Sequence, residues 1–318
     1  MTITPDDIRA AAYRIAPYVI RTPLLRSPRL DARVGGRLFL KAECLQVTGS
    51  FKLRGATNAV RQLPGGTLGV VAYSSGNHAQ AVALAAREAG LPAIIVMPAD
   101  APAAKRERTA GYGAEVILYD RQAESREAIG EEIAEARGYA LVPPYDHPHT
   151  MAGQGTAGLE AADDLAAMGV TPDAVLVCCS GGGLAAGVGV ALRERFPGCA
   201  VVTVEPEGFD DTARSLARGE RVRNGESAGS VCDALLVPTP GALTFPVLRD
   251  LGARGVAVSD AAALRAVRTG AEELRVVLEP GGAVALAAAL EGAVQTAGRT
   301  LLVILSGGNA DLGGETAA

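Results

Sequence analysis

Short aliphatic runs alternate with alanine-rich stretches of helical length, and this alternation limits the folds open to the chain more than any other feature. The runs are LGVVAYS (68–74), AIIVMP (93–98), EVILYD (115–120), DAVLVCCS (173–180), AVVTVEP (200–206) and TLLVILSGG (300–308). Residues 77–90, 122–138, 153–168 and 184–195 read as helices between them. A strand with one wet face would alternate polar and apolar residues, and these runs are apolar almost throughout. They predict parallel sheets covered on both faces by helices, an α/β class. With 318 residues, 48% of them hydrophobic, the chain has ample material for such cores. No repeat or Pro/Gly linker divides it, so composition alone draws no domain boundary.

Charge and cysteine usage exclude several functions. The net charge of −5 is spread along the chain without a basic run, which argues against nucleic acid as a partner. The first residues, MTITPDDIRAAAYRIAP, carry acids where a signal peptide carries bases, and no apolar run reaches the roughly 18 residues of a membrane span. A cytoplasmic protein is expected, with no membrane partner. The five cysteines include the neighbours Cys178 and Cys179 but no C-x-x-C or Cys/His ligand spacing. They read as reduced core thiols rather than a zinc site. His147 and His149 have no spacing partner and read as loop residues.

Three of the runs end in small, polar turns: SSGNHAQ from Ser74, SGGGLAAG from Ser180 and SGGN from Ser306. Ligands of open α/β sheets bind at carboxyl ends of strands, where helix N-termini present free N–H groups. SGGGLAAG has the make-up of a phosphate cradle, but it lacks the GK[ST] ending of a nucleoside triphosphate loop. Gly181, Gly183 and Ala186 also fit G-x-G-x-x-A, with Glu205 about 20 residues on where a ribose-binding acid belongs. This segment alone leaves dinucleotide and isolated phosphate both open.

The stretch TGSFKLRGA (48–56) sets Lys52 between Phe51 and Leu53. Desolvation there would lower the amine pKa and favour its unprotonated, nucleophilic form.

SFKLRGA, SSGNHAQA, AGQGT, SGGGLAAG, EPEGFDD, EPGGA and LSGGN occur in an order that resembles the fold-type II pyridoxal-phosphate enzymes of the threonine/serine dehydratase, serine racemase and 3-hydroxyaspartate dehydratase group. The resemblance covers nearly the whole chain. It implies a tryptophan synthase beta-like fold of two open, parallel-rich sheets, with a large domain of residues 1–66 and 147–318 and a small mobile domain of residues 67–146. It further implies that pyridoxal 5′-phosphate is bonded by Lys52 beside Phe51. Ser180, Gly181, Gly182, Gly183 and Leu184 would cradle its phosphate, Asn77 would meet its ring hydroxyl and Ser306 its pyridine nitrogen. Ser74, Ser75, Asn77 and His78 would hold the substrate carboxylate, and Ser75 is the residue that in racemases acts on the Cα face opposite the lysine. Arg126 matches an arginine that reaches a second substrate carboxylate; read as ordinary structure, it is a solvated residue on an acidic helix. Glu205, Asp211 and a carbonyl near Phe209 would bind Mg²⁺ or Ca²⁺, since oxygen-only ligation suits both ions.

Two departures accompany the resemblance. Ser180 stands where the family commonly has a fourth glycine, and no regulatory extension follows LSGGNADL, so isoleucine feedback is not expected. The expected protein is a homodimeric ammonia-lyase that dehydrates small β-hydroxy-α-amino acids. An amino-acid racemase is the alternative, and a non-catalytic pyridoxal-phosphate carrier a more distant one.

Overall fold

In a computed structural model, which describes residues 2–225 and 229–310, the described residues form two sheets. The strands are β1 (Leu24–Leu25), β2 (Arg37–Ala42), β3 (Val70–Tyr73), β4 (Ala93–Pro98), β5 (Glu115–Tyr119), β6 (Ala140–Leu141), β7 (Ala174–Cys178), β8 (Ala200–Pro206), β9 (Arg254–Val258) and β10 (Thr300–Leu305). The larger sheet runs β1-β2-β10-β7-β8-β9, and only β1 is antiparallel to its neighbour. The smaller, β5-β4-β3-β6, is parallel throughout. The chain is α/β, as its pattern predicts. The last residues, 311–318, lie outside the described part, including the Asp311 and Leu312 that close LSGGNADL.

All six aliphatic runs are strands. β4, β7 and β10 are buried at every position, while β5 and β9, at sheet edges, are partly exposed. β2, with the sequence RLFLKA, was not legible because its fifth residue is a lysine that is fully buried. Lys41 tolerates this position because its amine donates to Glu160 Oε2 at 2.6 Å and to the Thr22 carbonyl at 2.7 Å. The expected helices appear as Asn77–Glu88, Arg126–Arg137, Pro148–Ala167 and Gly183–Arg195. The reading of His149 as a loop residue needs correction, while His147 does lie outside the helix. His147 is the N-cap of Pro148–Ala167, its Nδ1 accepting the His149 N–H at 3.2 Å, and His149 lies in the helix. Proline at the first helical position has its φ already set for a helix, so the helix starts before the residue where alanine enrichment begins.

Two main apolar cores cover the sheets. One surrounds the larger sheet and takes in Phe51, Val303, Val175 and the alanines of helix Pro280–Leu290; another packs β3 and β4 on helix Asn77–Glu88 and takes in Leu53. Helix Lys52–Val60 touches both Pro148–Ala167 and Asn77–Glu88. Phe51 therefore belongs to one core and Leu53 to the other, with Lys52 at the seam.

Candidate active site

The first turn of Lys52–Val60 is held from behind by a buried charge cluster. Arg54, wholly buried, donates from Nε to Glu43 Oε2 at 2.7 Å and from its two terminal nitrogens to Glu160 at 2.7 and 2.8 Å. Glu43 and Glu160 face Arg54 and Lys41, so two acids offset two bases. In front, the Phe51 N–H donates to the Ser306 carbonyl at 3.2 Å, and the Gly308 N–H to the Gly49 carbonyl at 2.9 Å. The lysine segment and the SGGN turn thus form one hydrogen-bonded unit.

Lys52 Nζ donates to the Pro144 carbonyl at 2.8 Å and lies 5.1 Å from the centre of the Phe51 ring. Burial pulls its pKa down to about 8, against small opposing effects of Cys178 and Glu279. His78, on the next helix, is buried and donates from Nε2 to the Val142 carbonyl at 2.8 Å. Burial, with the nearby Lys52, lowers its pKa to about 3, so His78 is neutral at physiological pH.

The SSGNH turn leaves β3 and enters Asn77–Glu88 with Gly76 as an N-cap that has no side-chain hydrogen bond. Ser74 Oγ accepts the Gly76 N–H at 3.2 Å, a local turn contact outside the helix cap, and Ser75 follows it in the same turn. The helix N-terminus is left for an anion. Asn77 Nδ2 donates to Glu279 Oε1 at 2.5 Å, and Asn77 Oδ1 accepts from Asn309 Nδ2 at 2.7 Å. These bonds join the ends of β3 and β10 across the two sheets.

The glycine turn after β7 has the same character. Gly182 has φ +93°, and helix Gly183–Arg195 starts without a side-chain cap. A Cβ on Gly181 would lie 2.2 Å from the Tyr145 ring, so the loop has no room for side chains. Its carbonyls are tied off: Thr244 Oγ1 donates to Gly181 O at 2.5 Å, and Thr212 Oγ1 to Ser180 O at 3.4 Å. Leu184 is buried beneath it. Gln154 Oε1 is buried among the described residues without a partner, 2.7 Å from where a Cβ on Gly183 would lie. Ser306 is buried, and its Oγ meets Cys178 Sγ at 3.0 Å. An uncapped glycine cradle and an amine that meets only a backbone carbonyl fit a phosphorylated aldehyde.

A family model described as Pyridoxal-phosphate dependent enzyme matches residues 15–307. The chain belongs to this family. Among similar proteins, L-threo-3-hydroxyaspartate ammonia-lyase of Saccharomyces cerevisiae is 41% identical over 97% of this chain and 94% of its own. Serine racemase of Schizosaccharomyces pombe is 39% identical over 97% and 95%. A solved serine racemase, that of maize, is 42% identical with a TM-score of 0.92, covering 98% of this chain and 95% of the other. This pyridoxal-phosphate dependent enzyme is thus fold-type II.

Two predicted groups make no hydrogen bond with Lys52. Arg126 opens helix Arg126–Arg137, with its side chain 44% exposed. Its guanidinium stacks 5.6 Å from the Tyr73 ring centre, and its Nε donates to Glu127 Oε1 at 2.8 Å. Glu205 and Asp211 are buried at the end of β8. Glu205 accepts the Thr212 N–H at 2.9 Å and the Ala213 N–H at 2.8 Å. Asp211 Oδ1 accepts from Asn224 Nδ2 at 2.7 Å, while its Oδ2 has no partner among the described residues. Burial raises Glu205 to about 8, with Asp211 adding repulsion, and burial raises Asp211 to about 6. Two buried acids short of a counter-charge fit a hard cation. Phe209 lies in the turn between them, its N–H donating to the Pro206 carbonyl at 3.0 Å.

Glu279, Gln154, Tyr145 and Asn309 were missed as site residues. Three of them lie inside EPGGA, AGQGT and LSGGN, motifs that identified the family without drawing attention to these positions; Tyr145 had no signal at all.

Proposed function

We propose that this chain is an ammonia-lyase that dehydrates small β-hydroxy-α-amino acids, with 3-hydroxyaspartate, serine and threonine as candidates, to 2-oxo acids and ammonia. The observation that carries the reading is the Lys52 amine, desolvated to a pKa of about 8 between two uncapped helix N-termini. Ser74, Ser75, Asn77, His78 and the first N–H groups of Asn77–Glu88 hold the substrate α-carboxylate. Ser180 to Leu184 hold the cofactor phosphate, Asn77 the ring hydroxyl, and Ser306 the ring nitrogen against Phe51 and Lys52. Pyridoxal phosphate supplies the electron sink that makes the Cα–H bond acidic. Lys52 then takes the Cα proton as the neutral amine that its apolar seam favours. A serine at Ser306 does not keep the ring nitrogen protonated, which suits prompt loss of a β-hydroxyl.

A racemase is the second reading, supported by the likeness to serine racemases and by Ser75 in the carboxylate turn. Residues 67–146 form the mobile small domain on this reading, and the remainder, 1–66 and 147–318, the large one. Glu205, Asp211 and the Phe209 carbonyl hold Mg²⁺ or Ca²⁺, supported by the unpartnered Asp211 Oδ2. The five buried free thiols support a cytoplasmic setting. No described helix is long and apolar enough to cross a membrane. Exposed Tyr13, Ile20 and Leu45 supply apolar surface for a homodimer.

The test pairs an oxo-acid assay with chiral chromatography on the three substrates. Oxo-acid and ammonia release outpacing D-isomer formation is expected, with Lys52→Ala losing both turnover and the yellow colour of the bound cofactor. Racemisation as the faster reaction would favour the second reading, and an active, colourless Lys52→Ala protein would end both.

A further inference from the structure

Asn77 is held on both sides by side chains from the far sheet. Its Oδ1 accepts from Asn309 Nδ2, and its Nδ2 donates to Glu279 Oε1. Asn309 is itself oriented, because its Nδ2 also donates to the Thr48 carbonyl at 2.8 Å. Glu279 is 6% exposed and is the N-cap residue of Pro280–Leu290, its N–H bonded to the Gly307 carbonyl at 3.1 Å. A Cβ on Gly307 would come within 2.1 Å of Glu279 Oε1 and 3.2 Å of Asn77 Nδ2, so the pair occupies the space that a side chain there would need.

An amide held between a carboxylate and an N–H donor has one acceptable orientation. Rotated by half a turn, Asn77 would set its oxygen against Glu279 and its NH₂ against the Asn309 NH₂, losing two hydrogen bonds and opposing like partial charges. With Glu279 taking one N–H, the second N–H is the one Asn77 has left to offer a ligand. Burial raises Glu279 to about 7, and the Asn77 N–H acts against that rise, as expected of a donor favouring the ionised carboxylate.

We propose that Glu279 and Asn309 are positioning residues that lock the Asn77 amide with its nitrogen as the donor toward the cofactor ring. This rests on the proposed role of Asn77 at the cofactor. Neither residue needs to touch the cofactor.

The test is a double-mutant cycle read by pyridoxal-phosphate affinity and by the absorption spectrum of the bound form, with apoprotein melting temperatures checking that each variant folds. Glu279→Gln and Asn309→Ala should each weaken cofactor binding by about tenfold, since one hydrogen bond to a charged or oriented group is at stake. Each should also shift the absorption maximum. In an Asn77→Ala background both should change affinity by less than about twofold, because their target is gone. If Glu279→Gln fails to fold, Asn309→Ala carries the same cycle. Equal losses with and without Asn77, or no loss from either substitution, would overturn the proposal. Unchanged affinity in Asn77→Ala alone would remove Asn77 from the cofactor site, and the proposal with it.

Discussion

At the scale of single residues, Lys52 shows how a local sequence signal acquires its chemistry. Its two apolar neighbours belong to different cores, so the half-buried amine emerges at their seam with no carboxylate partner, and its pKa falls to about 8. The bracket of Phe51 and Leu53 was legible; that it straddles two cores was not. Arg126 is the residue on which the proposed choice of substrate would turn. Its guanidinium stands over Tyr73, which precedes Ser74 and Ser75, and its present carboxylate partner is the exposed neighbour Glu127. A substrate β-carboxylate would replace that weak exposed pair by a bidentate one in a closed cleft. Arg126→Ala should then cost about 2–5 kcal/mol in kcat/KM for 3-hydroxyaspartate. Serine and threonine should change by less than about 1 kcal/mol, since they carry no second charge. Equal loss on all substrates would assign Arg126 to cleft closure, and no loss on any would leave it a surface residue.

At the scale of elements, the functional turns work by omission. Asn77–Glu88 and Gly183–Arg195 both start without a side-chain cap, whereas Arg126–Arg137 is capped by Ser125 Oγ. A free helix N-terminus stabilises an anion, and these two converge near one amine. Glycine-rich and small-residue turns advertise this in sequence. The cluster behind Lys52 does not, because Lys41, Glu43, Arg54 and Glu160 look like ordinary surface charges until folding buries them together. Removing one member leaves opposite charges buried and unpaired. Arg54→Leu should therefore lower unfolding free energy by about 3–5 kcal/mol in a denaturant titration. A loss below about 1 kcal/mol would mean that water reaches Glu43 and Glu160.

At the scale of the whole molecule, two sheets present the carboxyl ends of β3, β7 and β10 to a common site, and the acids at the end of β8 give a handle on its stability. Glu205 and Asp211 titrate near 8 and 6 when folded, above their ordinary values of 4.5 and 3.8. The folded state thus binds more protons than the unfolded one between those limits. Their contribution is fully present below the unfolded values, and it is lost as pH rises through about 6 for Asp211 and about 8 for Glu205. In EDTA, the melting temperature should fall between about pH 5 and 8. Mg²⁺ or Ca²⁺ should flatten that fall, because a cation binding only the folded state stabilises it by mass action and favours ionised carboxylates. Asp211→Asn should remove most of the cation response. A melting temperature indifferent to either ion at pH 8 would make the two acids purely structural.

The amino-acid sequence by itself determined the α/β class, the strands buried on both faces, the three small-residue turns at strand ends and the lysine, because each is a local pattern of polarity, size or backbone freedom within about ten residues. Tertiary structure alone decided which distant groups act on them. Glu279 reaches Asn77 across 202 positions and Arg54 reaches Glu160 across 106. No periodicity encodes such pairs. They exist because parallel strands send the chain through a helix before each return, so neighbours at the strand ends are remote in sequence, and desolvation of a charge depends on everything packed around it.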